Sequence, residues 1–139
     1  MTQLEQQHIK RESYTEAMRY VANAKGYLKT AEKGETHYKD KKYVRTACGT
    51  AYNGTLIALD ALLEIKGIDL PKGKSRKTID FYRAAINKDR KLLDAFNSVY
   101  NILHLYGYYD GETHIKVIQA GFESAIEVIN KIKPVGAAQ

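Results

Sequence analysis

The side chains that could do chemistry lie in two groups, and the first is a polar aromatic group near residue 100. His104 follows Tyr100 by four residues, so the imidazole and the phenol share one face of a helix. Imidazole, phenol and carboxylate groups that converge would permit acid–base chemistry or form a polar ligand pocket. In the alternative interpretation, the phenols and His104 pack at a helix end, and Asp60 faces solvent or a surface partner. The candidate pocket residues are Asp60, Tyr100, His104, Tyr108 and Asp110.

The second group is a basic stretch, residues 66–91, which carries the whole charge excess of the chain. Nine of the 22 Lys and Arg lie there against three of the 16 Asp and Glu, and the remaining residues balance. No aromatic residue lies within residues 72–77, so we expect contacts to the phosphates of a nucleic acid or nucleotide and none to its bases. The alternative is a solvated surface that keeps the chain in solution. The candidate contacts are Lys72, Lys74, Arg76, Lys77 and Arg83.

Other kinds of site lack their motifs. No two histidines form a His-x-x-x-His pair, and Cys48 is the only cysteine, so we expect neither a metal ion nor a disulfide. No glycine-rich phosphate loop of the Walker or dinucleotide type is present, and we expect no cofactor. We expect Cys48 to be a small residue of the hydrophobic core.

Length and hydropathy favour one domain over residues 1–139, with ends at 1–8 and 134–139 that we expect to be frayed. A chain of this size buries enough surface to fold without a metal or disulfide. The most apolar stretch, residues 56–65, is interrupted by two acidic side chains, so we expect no membrane span. The first ten residues are polar, so no signal peptide is expected, and the single cysteine favours a cytoplasmic location.

Apolar residues recur at helical spacing along the whole chain. The pattern predicts helices at about 8–32, 38–66 and 112–133, with either one helix or two between 75 and 105 and an aromatic turn over 106–111. Ser75 is the predicted N-cap of the third segment. The sequence therefore predicts an all-α protein, an up-and-down bundle of four to five helices.

The second predicted helix belongs in the middle of that bundle, because it is apolar on more than one side. Its small residues at spacings of three and four allow a neighbouring helix to approach closely, and its large apolar surface favours a homodimer. These small residues are Ala47, Ala51, Gly54 and Ala58.

Several segments together resemble a small, uncharacterised bacterial family of HEPN-like helical proteins. They are Tyr38–Tyr43, Ala51–Gly54, Ala58–Leu63, Arg76–Lys77, Phe81–Arg83, Tyr100–His104 and Gly107–Gly111. The resemblance implies a bundle of four or five helices, commonly dimeric, that works with nucleotides, RNA or a nucleotidyltransferase partner.

The resemblance also sets a test for catalysis, because active HEPN proteins cut RNA with an Arg followed, after four to six residues, by a His. The positions before His104 that would hold this Arg are Asn97, Ser98 and Val99, and His37 and His114 lack it too. The leading hypothesis is therefore a non-catalytic module that binds a protein, a nucleotide or RNA. The alternative is a divergent ribonuclease or phosphate-transfer enzyme that uses His104 with a basic group from elsewhere in the fold.

Overall fold

The structure, a computed structural model, describes residues 1–136, and their fold is a bundle of α-helices. A π-helical segment, Tyr100–Tyr109, directly continues the fourth helix, and a short 3-10 turn follows the fifth. Within residues 1–136 there are two isolated β-bridges and no strand, so the prediction of an all-α helical bundle is confirmed. The five helices are α1 (Gln3–Ala31), α2 (Lys41–Lys66), α3 (Ile79–Ile86), α4 (Arg90–Val99) and α5 (Ile115–Ile129).

Side-chain caps set where the first two helices begin. The Thr2 hydroxyl accepts a hydrogen bond from the backbone N–H of Glu5, so the helix includes residues 3–8, where fraying is expected from the sequence. Asp40 caps α2 by accepting from the N–H of Lys42, which starts this helix three residues after Tyr38. At the other end of the chain, residues 137–139 of the segment expected to fray lie outside the described residues.

Residues 75–105 contain two helices. The N-cap of α3 is Thr78, not Ser75, because the Thr78 hydroxyl accepts a hydrogen bond from the N–H of Phe81 at 3.1 Å. Asp89 caps α4 in the same way, at 3.1 Å from the N–H of Leu92. The two caps separate α3 from α4, and Ser75 lies in the preceding loop.

The predicted aromatic turn at 106–111 is wrong over most of its length, because the chain stays helical to Tyr109. Its winding is that of a π-helix, in which each N–H bonds to the carbonyl five residues earlier, and the Asp110 N–H to Leu105 oxygen bond of 2.9 Å closes it. Gly107 permits this path, since a Cβ there would overlap the Cys48 side chain on α2. Gly111, at φ 72°, then ends the segment.

The central position of α2 agrees with its sequence. Its small residues face α1, and a Cβ at Gly54 would lie 2.9 Å from the Tyr20 Cβ and 3.0 Å from the Ala17 oxygen, so the predicted close approach is confirmed. Val44, Cys48 and Leu59, on the other apolar stripe, are at most 1% exposed inside the single chain. These three side chains are covered by the chain itself and offer no surface to a second copy, whereas Leu62 of the same stripe is only partly buried, and the homodimer remains a prediction.

Membrane insertion needs a long, apolar helix. No helix within residues 1–136 reaches the length and apolarity that crossing a membrane requires.

Candidate functional site

Five rings gather where the π-helical segment lies against α2, and we call them the aromatic cluster. His104 is at its centre, and its ring centroid lies 4.7 Å from that of Tyr52, 5.2 Å from Tyr100 and 5.1 Å from Tyr109. The Tyr108 ring is parallel to the imidazole within 6°, at 6.2 Å. Four members come from the π-helical segment and one, Tyr52, comes from α2.

The π winding explains how these rings meet. In an α-helix, residues five positions apart point to nearly opposite sides, because each residue turns by about 100°. In the wider π-helix, between four and five residues complete a turn, so residues four and five positions ahead both come back to the same side. Tyr108 and Tyr109 therefore both reach His104, one ring parallel to it and the other edge-on.

The aromatic cluster is uncharged and open to solvent at one end. Tyr108 is 47% exposed and Tyr109 is 62% exposed, whereas Tyr52 and His104 are half-buried. Burial lowers the pKa of His104, which favours the neutral imidazole, and burial raises the pKa of Tyr52 to about 12. The cluster therefore presents neutral ring faces to any ligand.

An arginine lies at each end of the aromatic cluster. The Arg83 guanidinium is 5.2 Å from the Tyr100 ring centre, and its Nε donates to the Asn97 side-chain oxygen at 2.8 Å. Arg45 Nη2 donates to the backbone oxygen of Tyr109 at 3.3 Å. The guanidinium groups thus extend the neutral ring surface with positive charge on both sides.

The polar pocket predicted from the sequence is divided. Tyr100, His104 and Tyr108 lie together in the aromatic cluster, but Asp60 and Asp110 do not join them by any hydrogen bond in the part of the chain described. The Asp60 carboxylate accepts instead from Lys77 Nζ at 2.9 Å and from the Tyr82 hydroxyl at 2.7 Å. The Asp110 side chain is exposed at the end of the π-helical segment.

The predicted basic contacts are divided as well. Lys72, Lys74 and Arg76 are exposed in the loop between α2 and α3. Lys77 forms the ion pair with Asp60, and Arg83 lies beside the aromatic cluster. Residues 72–77 contain no aromatic side chain, whereas Arg83, the remaining candidate contact, lies 5.2 Å from the Tyr100 ring centre.

Two members of this face, Tyr52 and Arg45, are not among the residues predicted from the sequence. Tyr52 reaches His104 from α2, and that approach depends on tertiary packing that spacing along the chain does not show. Tyr109 adjoins the predicted pocket residues Tyr108 and Asp110 in the chain, although helical spacing of the usual kind would turn it away from His104. Arg45 is placed by the path of the chain around Gly111, which lies against its guanidinium.

Cys48 and the possible metal ligands lie outside this face. Cys48 is buried and burial raises its pKa to about 12, so it is held as the thiol, in keeping with a core residue. Within residues 1–136, no three His, Cys, Asp or Glu side chains come together in a way that could hold a metal ion.

These burial effects predict a loss of stability in alkaline solution. Cys48 and Tyr52 both have a pKa of about 12 when folded, against usual values of 9.0 for a thiol and 10.0 for a phenol. At a pH above the usual pKa of each group and below its pKa in the folded protein, the thiol and the phenol lose their protons only when the chain unfolds. Rising pH therefore favours unfolding. We expect the urea midpoint to be constant up to about pH 8 and to fall by about pH 10.5.

Tyr52→Phe is the matched variant for this experiment, because it removes one of the titrating groups and keeps the ring. Its midpoint should fall less steeply with pH than that of the unaltered protein. Equal slopes for the two proteins would contradict the assignment of part of the effect to Tyr52.

The fold and the site define a small all-α bundle with an exposed face of aromatic rings and arginines. The chain belongs to DUF5618, a domain of unknown function, which matches residues 12–134. It is also similar to a solved protein of unknown function from Dyadobacter fermentans, with 38% identity over 88% of this chain and 95% of that one and a TM-score of 0.79. None of the curated proteins matches this chain. The expectation of an uncharacterised family is confirmed.

Proposed function

We propose that this chain is a HEPN-like, non-catalytic module that binds single-stranded RNA across the aromatic cluster. The observation that carries the proposal is the gathering of five rings on one partly exposed face with an arginine at either end. Unpaired bases stack on such rings, and guanidinium groups meet the phosphates between them. The sequence predicts contacts to phosphates only, whereas this proposal adds stacking of the bases on the rings.

The shape of this face supports a strand over a compact ligand. The rings stand along one side of the π-helical segment, and the most exposed of them, Tyr109, projects at its end. Base stacking on aromatic side chains contributes about 1–3 kcal/mol per base and tolerates any sequence. The exposed residues of the loop before α3, Lys72, Lys74 and Arg76, would take up further phosphates and make binding strongly dependent on salt.

A double substitution tests the proposal. Tyr108→Ala with Tyr109→Ala removes the two most exposed rings, so we expect at least about tenfold weaker binding of a fluorescein-labelled oligouridine in low-salt anisotropy titrations. Tyr27→Ala is the matched control, since Tyr27 is an exposed tyrosine of α1 outside the cluster. Separately, Arg45→Ala should lower the slope of log affinity against log salt by about one.

Two results would overturn the RNA proposal. One is no binding of the oligouridine by the unaltered protein at low salt, and the other is equal affinity of the double variant and Tyr27→Ala. If oligodeoxythymidine bound as tightly as oligouridine in the same titration, the face would bind single strands of RNA and DNA alike.

The second candidate function is a ribonuclease that uses His104. It is favoured by one observation: burial keeps the imidazole neutral and able to accept a proton, and Arg83 lies beside the adjoining ring of Tyr100. Arg83 already donates to Asn97, and no carboxylate bonds to His104 within residues 1–136, which favours the binding module. Cleavage of the oligouridine that is lost in His104→Ala would select the enzyme.

Three further proposals rest on the resemblance and the composition. They are a homodimer, a nucleotidyltransferase as the protein partner, and a cytoplasmic location. They concern the assembly, the protein partner and the location of the chain. The RNA-binding proposal depends on the ring geometry and on none of these three.

A further inference from the structure

A cleft of about 690 Å³ lies between the C-terminal half of α1 and α5, and it shares no residue with the aromatic cluster. Its apolar surface comes from Leu28 on α1 and from Phe122 and Ile126 on α5. This volume is within the range of about 300–1,000 Å³ that small-molecule sites occupy. An apolar body of moderate size therefore has room here.

The loop between α1 and α2 contributes to the wall of the cleft. Tyr38 from this loop lines the cleft and is only 5% exposed. Its N–H donates to the Thr113 oxygen at 2.8 Å, and the Ile115 N–H donates to the Thr36 oxygen at 3.0 Å. These backbone bonds hold the loop, and with it Tyr38, against the start of α5.

The charges of the cleft favour an anion. Lys25 and Lys29 lie one turn apart on α1, Lys33 follows in the loop after the helix, and none of the three forms an ion pair within residues 1–136. Two carboxylates, Glu32 and Glu123, also border the cleft, so the lysines exceed them by one. A row of lysines beside an apolar floor matches a ligand with an apolar body and one anionic group.

We propose that this cleft binds a small anionic amphiphile, with its apolar body on Leu28, Phe122 and Ile126 and its acidic group at the lysines of α1. The acidic group would be a carboxylate or a phosphate, both of which lysine ammonium groups recognise as point charges. The lysine row from residue 25 to residue 29 covers about one helical turn, which lets two ammonium groups share one anion.

Isothermal titration with decanoate below its aggregation concentration tests the proposal. We expect saturable binding at one site per chain, at least about tenfold tighter than that of decyltrimethylammonium, because only the anion meets the lysines. Decyl phosphate in a parallel titration distinguishes the two acidic groups. Equal or tighter binding of the cationic amphiphile, or no saturable decanoate binding, would overturn the proposal.

Matched variants locate the site. Gln119 lines the cleft from an exposed position, so Gln119→Trp should fill the cleft and weaken decanoate at least tenfold. The next residue, Ala120, is also exposed and does not line the cleft, so Ala120→Trp should leave the affinity unchanged. Lys25→Glu with Lys29→Glu should abolish the preference for decanoate over the cation, whereas Lys116→Glu, outside the cleft, should keep it. Equal effects of the two tryptophan variants would place binding elsewhere.

Discussion

Phe96→Ala should lower the free energy of unfolding by about 3–5 kcal/mol, the cost of removing a buried aromatic ring and leaving a cavity. Phe96 is fully buried on α4, with its ring centroid 5.8 Å from that of Tyr82 on α3. A small domain is stable by only about 5–15 kcal/mol, so the variant should lose a large share of its stability. Urea denaturation followed by circular dichroism measures the change.

Phe81 provides the control for this prediction, because it is a neighbouring phenylalanine that is only partly buried. Phe81→Ala should cost less than half as much, and Phe96→Leu, which keeps most of the volume, about 1 kcal/mol. If Phe96→Ala and Phe81→Ala had the same effect, the position of the core between α3 and α4 would be wrong.

Gly107→Ala should destabilise the protein by about 3 kcal/mol, the upper part of the range for overpacked cores. The added Cβ would overlap the Cys48 sulfur and lie 2.8 Å from the Cys48 Cβ, with Cys48 on α2 and Gly107 inside the π-helical segment. The same clash would push the π-helical segment away from α2, so His104 and Tyr52 should separate. Thermal unfolding gives the stability, and the shifts of the ring protons in NMR spectra report the separation.

Gly26→Ala is the matched control for Gly107→Ala, because Gly26 lies in α1 with no atom within 4 Å of an added Cβ. It should stabilise the helix by about 0.5–1 kcal/mol, so the two glycine variants are expected to have opposite signs. Adding Cys48→Ala to Gly107→Ala should recover about 1 kcal/mol through the loss of the sulfur contact. A neutral Gly107→Ala would refute the close approach of the two helices.

The helices could be predicted because their cause is local and repeated. The recurrence of Ala47, Ala51, Gly54 and Ala58 is a property of α2 alone, and the structure places these small residues against α1. Helix ends were less predictable, since Thr78 and Ser75 are both good caps and only the packing of α3 selects between them. The order of helices around α2 depends on contacts between distant residues and has no sequence signal of this kind.

The site was predictable only in part, for the same physical reason. The pairing of Tyr100 with His104 follows from their spacing, and the two rings are indeed neighbours at 5.2 Å. The approach of Tyr52 from α2 and of Arg83 from α3 depends on tertiary packing. Asp60 was placed with the wrong group, because its partners Lys77 and Tyr82 belong to a loop and a helix whose path the sequence does not specify.

The winding of residues 100–109 also has a consequence for how the aromatic cluster could be gained or lost in evolution. A π-helix takes about one residue more per turn than an α-helix, so deleting one residue from this segment is the smallest change that returns one of its turns to ordinary winding. A deletion between Tyr100 and His104 that gave the following turn ordinary winding would leave Tyr109 five positions after His104 and turn its ring to nearly the opposite side of the helix. A relative with this shorter segment would share the scaffold and lack the outermost ring of the face proposed to bind RNA.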